Sequence, residues 1–234
     1  LQHLHVVFAL DRGGLVGADG PTHHGVFDLS YLRLIPEMVI MAPKDESELR
    51  DMLYTAVEYK QGPIALRYPR GNGIGVPLKQ GFDLIPIGKG EVLRSGKDVA
   101  IVCIGAIVQN ALKAAEYLEK SGIGAEVVNM RFVKPVDADL LKDVASRFDH
   151  IVTIEDNSIV GGFGSAVVEC YAQLGITNIK IKVHGIPDHF IDHGTPDELH
   201  RDVMLDAQGI AHVVNEFLQQ HATVLRQPLR ASVN

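Results

Sequence analysis

Residues 11–25 read DRGGLVGADGPTHHG, placing one arginine, two aspartates, two histidines and five glycines within fifteen positions. A loop of this kind offers a cation for an anionic ligand, carboxylates as bases and imidazoles as proton donors. Its glycines let the backbone come close to a ligand. The glycine spacing matches neither the dinucleotide fingerprint nor the P-loop, so two readings stand: a ligand loop, or a glycine-rich turn with solvated polar side chains. A second cluster is Arg67-Tyr68-Pro69-Arg70-Gly71-Asn72. If the strands ending at these two clusters are neighbours, Arg12 and Arg70 converge on one anion, and guanidinium forks suit phosphate. The other reading is two surface arginines with unrelated partners.

Residues 155–165, EDNSIVGGFGS, read as strand, glycine-rich turn and helix. A helix N-terminus attracts anions, yet the two acids before it oppose them, and Gly161, Gly162 and Gly164 equally serve close packing. Packing is the favoured reading. His184, His189 and His193 gather around a Gly-Ile-Pro-Asp turn, but none is paired at i, i+4 on a helix as a metal site prefers. They read as surface or interface histidines, and no metal site is expected. His3, His5, His150, His200, His212 and His221 carry no signal.

Alternating strands and helices must position these clusters. Apolar runs at 6–10, 38–41 and 64–68 read as strands, with an amphipathic helix between the last two whose face is Leu49, Met52, Leu53, Ala56 and Val57. Asp45 and Glu48 stand at its start as a cap pair. Periodicity lapses over residues 71–90, which are rich in glycine and hold two prolines, as in a surface linker. Beyond it, strands are expected at 99–104, 125–130, 151–154 and 179–183. Helices are expected at 108–118, ended by Gly122, then near 140–144, at 166–174, after the Thr195-Pro196-Asp197-Glu198 start signal, and at 206–217. The pattern predicts an α/β fold with largely parallel sheets. Its parts are 1–72, a linker at 73–90, a second unit at 91–220 and a tail at 221–234.

The chain has 234 residues, and 29 acidic against 22 basic side chains make its net charge -7 without long single-sign blocks. Nucleic acid is not an expected partner, since phosphate backbones call for a concentrated basic face. No apolar stretch approaches the ~20 residues that span a bilayer, so no membrane association is expected. Cys103 and Cys170 fall in apolar runs without metal spacing and read as buried free thiols, as in a reducing cytosol or organelle stroma.

Five segments resemble the 1-deoxy-D-xylulose-5-phosphate synthase family. They are DRGGLVGADGPTHHGVFDLSYLRLIPEMVIMAPKDESEL, ALRYPRGNGIGV, MRFVKPVD, EDNSIVGGFGSAV and GIPDHFIDHGT. The resemblance runs from Val6 to about Phe217 and covers the C-terminal part of that family's chain. It implies a truncated parallel-sheet pyrimidine-binding domain followed by a transketolase C-terminal-type domain. The family is a transferase that condenses pyruvate with D-glyceraldehyde 3-phosphate and releases carbon dioxide, using thiamine diphosphate and Mg2+. Its product feeds isoprenoid and thiamine synthesis. By motif, Arg12 and Arg70 correspond to the clamp for the acceptor's phosphate, and Asp19 and His23 to polar residues reaching the reacting substrate; His24 gains no role. The cofactor-binding residues would precede Leu1, so the chain is expected to be a fragment, inactive alone, and a homodimer by analogy. Location in the cytoplasm, or in the plastid stroma of a eukaryote, is expected. The alternatives are the C-terminal half of another transketolase-like enzyme and a non-catalytic α/β interaction module.

Overall fold

The computed structural model describes residues 2–224. Short β-branched and apolar runs form a first sheet from β1 (Val7–Leu10), β2 (Val39–Met41) and β3 (Ile64–Arg67). They are connected through α1 (Asp28–Leu32) and α2 (Glu46–Glu58). The second sheet holds β4 (Glu91–Arg94), β5 (Val99–Ile104), β6 (Ala125–Asn129), β8 (His150–Ser158) and β9 (Lys180–Ile186). Around it lie α3 (Val108–Lys120), α4 (Ala138–Arg147), α5 (Phe163–Gln173), α6 (Pro196–Asp202) and α7 (Ala207–Val224).

The strand orders are β1-β3-β2-β7 and β4-β6-β5-β8-β9, where β7 is Phe132–Lys134. Pairings are parallel except β2 with β7 and β4 with β6. In the first sheet Leu10 is in register with Arg67. The loops after β1 and β3 therefore leave side by side, at the carboxyl ends where parallel sheets bind ligands.

Strand β7 lies inside the expected second unit yet completes the first sheet. A buried ionic cluster joins the same regions. Glu48, 4% exposed, accepts from the Lys44 amide at 2.7 Å, from Arg131 Nε at 2.7 Å and from Asn129 Nδ2 at 3.1 Å. Glu91 takes Lys44 Nζ at 2.8 Å and Arg131 Nη2 at 2.7 Å.

Three apolar clusters form the core. One lies between the second sheet and α3 and α7, one between the two sheets around Ile104, Met130 and Phe163, and one under α2 around Met52 and Phe132. Both cysteines are buried and free, and burial pushes the Cys103 thiol far up.

Some elements differ from their sequence expectation. In α2 the buried positions are Glu48, Asp51, Met52, Thr55 and Ala56, while Leu53 and Val57 are exposed. The linker accounts for the burial of Asp51 and Thr55: residues 71–90 form neither helix nor strand, and run along α2. There the Thr55 hydroxyl accepts from the Ile85 amide at 2.9 Å and Asp51 from the Asp83 amide at 3.0 Å. Asp45 caps α2 as expected, accepting from the Glu48 amide at 2.8 Å. The Glu48 carboxylate, however, turns to Lys44 and Arg131 instead of closing back on residue 45. Strand β8 runs four residues past its expected end, to Ser158, and α7 runs past 217 to Val224. Of the expected tail, 221–224 continue α7 and 225–234 lie outside the described residues. Among the described residues no helix is long and apolar enough to cross a membrane.

Candidate anion-binding site

The adjacency of β1 and β3 sets the site. The Gly13 amide donates to the Tyr68 carbonyl at 2.8 Å, tying one loop to the other, and Gly14 and Gly25 exchange two backbone bonds of 2.9 Å. Arg12 adopts φ 60°, the left-handed region. That conformation costs a non-glycine residue about 1 kcal/mol or more and is held only where the surroundings over-determine it. It turns the side chain toward a single turn of 3-10 helix at Gly17–Asp19.

Arg12 Nη1 lies 3.2 Å from Asp19 Oδ2, and Arg70 Nη1 donates to the same oxygen. Two guanidinium groups 58 positions apart in the chain thus address one oxyanion. All three side chains are half-exposed, so the pairs add little stability; a carboxylate held this way can give place to a stronger anion. His23 lies on the same loop, exposed, with Nδ1 2.9 Å from the Thr22 hydroxyl. His24 is buried instead. Its Nδ1 accepts from the Val16 amide at 3.1 Å and its Nε2 lies 3.3 Å from the Asp192 carbonyl, making it an internal strut of the loop.

Below the loops sits Arg67, 5% exposed. Its Nη2 donates to the Gly25 carbonyl at 2.7 Å and the Asp156 carbonyl at 2.6 Å, and its Nε is 3.8 Å from Asp28 Oδ2. Its stem passes so close under Gly13 that a Cβ there would meet Nε at 2.7 Å. Sequence reading placed Arg67 in the second cluster without a role of its own, because it ends an apolar strand; the available signal was a charge closing a run of buried residues, Ile64 to Leu66.

A cleft of about 440 Å³ opens beside Arg70 and Asn72 and is closed opposite by Gln109, Asn110 and Lys113 of α3. Asp156 and His200 also line it, whereas Arg12, Asp19 and His23 do not.

The 155–165 segment packs. Glu155 accepts from the Phe163 amide at 2.6 Å and the Gly164 amide at 2.8 Å, so the protein's own carboxylate already occupies the start of α5. Burial pushes this carboxyl up to about 7, against the lowering effect of those two amides. Asn157 Oδ1 accepts from the Leu29 amide at 3.1 Å at the start of α1, and Arg33 donates to the Gly161 carbonyl at 2.7 Å. His184 Nε2 lies 2.9 Å from the Met204 carbonyl, and burial pushes its pKa down. Among the described residues no three His, Cys, Asp or Glu side chains gather as a metal site would require.

The sequence model of the transketolase C-terminal domain matches residues 88–210, and that of the transketolase pyrimidine-binding domain matches residues 1–74. This chain belongs to the transketolase family. Within the family it is similar to the 1-deoxy-D-xylulose-5-phosphate synthase 1 of Geobacter sulfurreducens. The two are 57% identical over 218 residues, which is 93% of this chain and 34% of that one. The corresponding synthase of Aquifex aeolicus is 55% identical over 219 residues, 94% of this chain and 34% of its own. The chain thus spans about a third of the length of these curated relatives. Among solved structures, a split-gene transketolase described as an inactive β4 tetramer is 33% identical with a TM-score of 0.80. The match covers 92% of this chain and 67% of that one. A transketolase of Pichia stipitis, 21% identical at a TM-score of 0.74, shares the transketolase fold. The resemblance read from the five motifs therefore holds, as does the order of a pyrimidine-binding part followed by a transketolase C-terminal domain.

Proposed function

We propose that this chain is the acceptor-phosphate-binding part of a 1-deoxy-D-xylulose-5-phosphate synthase, a transferase that joins pyruvate to D-glyceraldehyde 3-phosphate with release of carbon dioxide. The observation that carries the reading is the shared oxygen: Arg12 and Arg70 both reach Asp19 Oδ2. A phosphate dianion brings more charge and more acceptor oxygens than one carboxylate. On its arrival Asp19 leaves the pair and is free to accept a hydrogen bond from a substrate hydroxyl. His23, exposed on the same loop, supplies a proton donor.

Thiamine diphosphate would supply the carbon nucleophile when bound. The described residues do not fit its magnesium–diphosphate end, since no set of metal-ligating side chains comes together among them. No step of this reading uses those groups, and the two-thirds of the relatives' length that this chain does not cover would hold them. Dimerisation, a cytoplasmic or plastid-stroma location and service to isoprenoid and thiamine synthesis belong to the same proposal. Identities of 57% and 55% to synthases, against 33% to the split-gene transketolase, favour the synthase over other transketolase-like enzymes.

The test is calorimetric titration of inorganic phosphate and of D-glyceraldehyde 3-phosphate into the chain at low salt. Arg12→Ala and Arg70→Ala should each weaken binding about tenfold or more, the worth of a charge-assisted hydrogen bond. Asp19→Asn, which removes the competing carboxylate, should tighten inorganic phosphate. Phosphate affinity indifferent to both arginines would leave the interaction-module alternative standing. The isolated chain should release carbon dioxide from pyruvate only at background, and robust turnover would overturn the fragment reading.

A further inference from the structure

Three consecutive residues at the end of β8 each serve a different element: Glu155 the start of α5, Asn157 the start of α1, and Asp156 the loop carrying Arg12. The Asp156 carboxylate lies in the hollow beneath Gly14. A Cβ at position 14 would stand 1.7 Å from Asp156 Oδ2, and Gly14 has φ 82°. The backbone of Asp156 is fixed as well, because Arg67 holds its carbonyl together with that of Gly25. On the far side His200, from α6, places Nε2 3.6 Å from Asp156 Oδ2. Both Asp156 Oδ1 and His200 Nε2 are buried without a hydrogen-bond partner.

A carboxylate in such a place is costly unless it is paired. What it touches is the backbone two residues from Arg12. Burial drives the Asp156 carboxyl up, but the His200 imidazole, the Arg67 guanidinium and the Leu15 amide outweigh it and hold the group low. His200 is raised in turn by Asp156, against its own burial.

We propose that Asp156, backed by His200, is a positioning residue: from the second unit it sets the backbone of Gly13–Gly14–Leu15 and thereby the aim of Arg12 in the anion clamp. The inference rests on the reading of Arg12 and Arg70 as that clamp. Neither Asp156 nor His200 is given a direct contact with the anion in this reading. Together with Arg70 they border the same cleft, so the second unit supports one arm of the clamp from below and faces the other across open space.

The experiment compares the parent chain with Asp156→Ala, Asp156→Asn and His200→Gln. It reads amide hydrogen exchange at residues 13–15, inorganic phosphate affinity by calorimetry, and thermal melting. In Asp156→Ala the amides of Gly13, Gly14 and Leu15 should exchange at least tenfold faster, while those of β5 keep their protection, and phosphate should bind several-fold more weakly. Asp156→Asn, which keeps the shape and one acceptor oxygen, should recover most of both. Parent-like loop exchange and parent-like phosphate affinity in Asp156→Ala would overturn the proposal. If that variant does not fold, His200→Gln carries the test: faster exchange at the same three amides is expected, and unchanged exchange overturns it. Should Arg12→Ala leave phosphate binding untouched, the clamp reading falls, and the loop exchange still decides the positioning role.

Discussion

A carboxyl group with no solvent contact, accepting from two backbone amides, makes stability depend on pH. Burial lifts Glu155 from an ordinary 4.5 to about 7, so the folded chain binds its proton more tightly than the unfolded chain does. The stabilisation from this group is complete below about 4.5, is lost as pH rises through about 7, and is level above that. Its size is on the order of 3 kcal/mol. Glu155→Gln should flatten this part of the profile, read as the difference in urea-unfolding free energy between variant and parent from pH 5 to 8; a constant difference would refute it. At this scale the sequence showed Arg12, Arg70 and Asp19, because charges in glycine-rich loops after strands stand out. It put Arg67 beside Arg70 but gave it no role, since that residue reads as the end of an apolar strand. It hid His200, because the partner that gives that residue meaning lies 44 positions earlier and on another element.

Helix α6 shows an element written plainly into local sequence. Thr195 accepts from the Glu198 amide at 3.3 Å while Glu198 accepts from the Thr195 amide at 3.0 Å, a closed capping box with Pro196 in the first turn. Thr195→Ala should cost about 1 kcal/mol, a melting shift of about 3 °C for a chain of this size; an unchanged melting temperature would show that the cap is idle. Because α6 carries His200, the same change should also speed exchange of the α6 amides. Where caps and periodicity are local, as in α3 with Val108, Ala111, Ala115 and Leu118 buried, sequence and structure agree. Disagreement appears where a distant segment decides. The linker bonds Thr55 and Asp51 on α2, which apolar periodicity leaves out, and β4 (EVLR) and β7 (FVK), the two antiparallel strands, escaped notice because each holds only two apolar residues.

At the scale of the molecule, two units are joined by more than a connecting segment. Strand β7 is hydrogen-bonded to β2, and Glu48 draws Lys44, Asn129 and Arg131 into one buried cluster. Cleavage of the exposed 71–81 stretch by a protease should therefore leave both pieces eluting together at the parent volume in size-exclusion chromatography. Separate elution would show that the pairing across units is too weak to matter. The same strand orders events at the ribosome. Until residues 132–134 emerge, β2 presents a bare edge to every other nascent chain nearby, so the earlier sheet waits, unfinished and adhesive, for a piece encoded some ninety codons downstream.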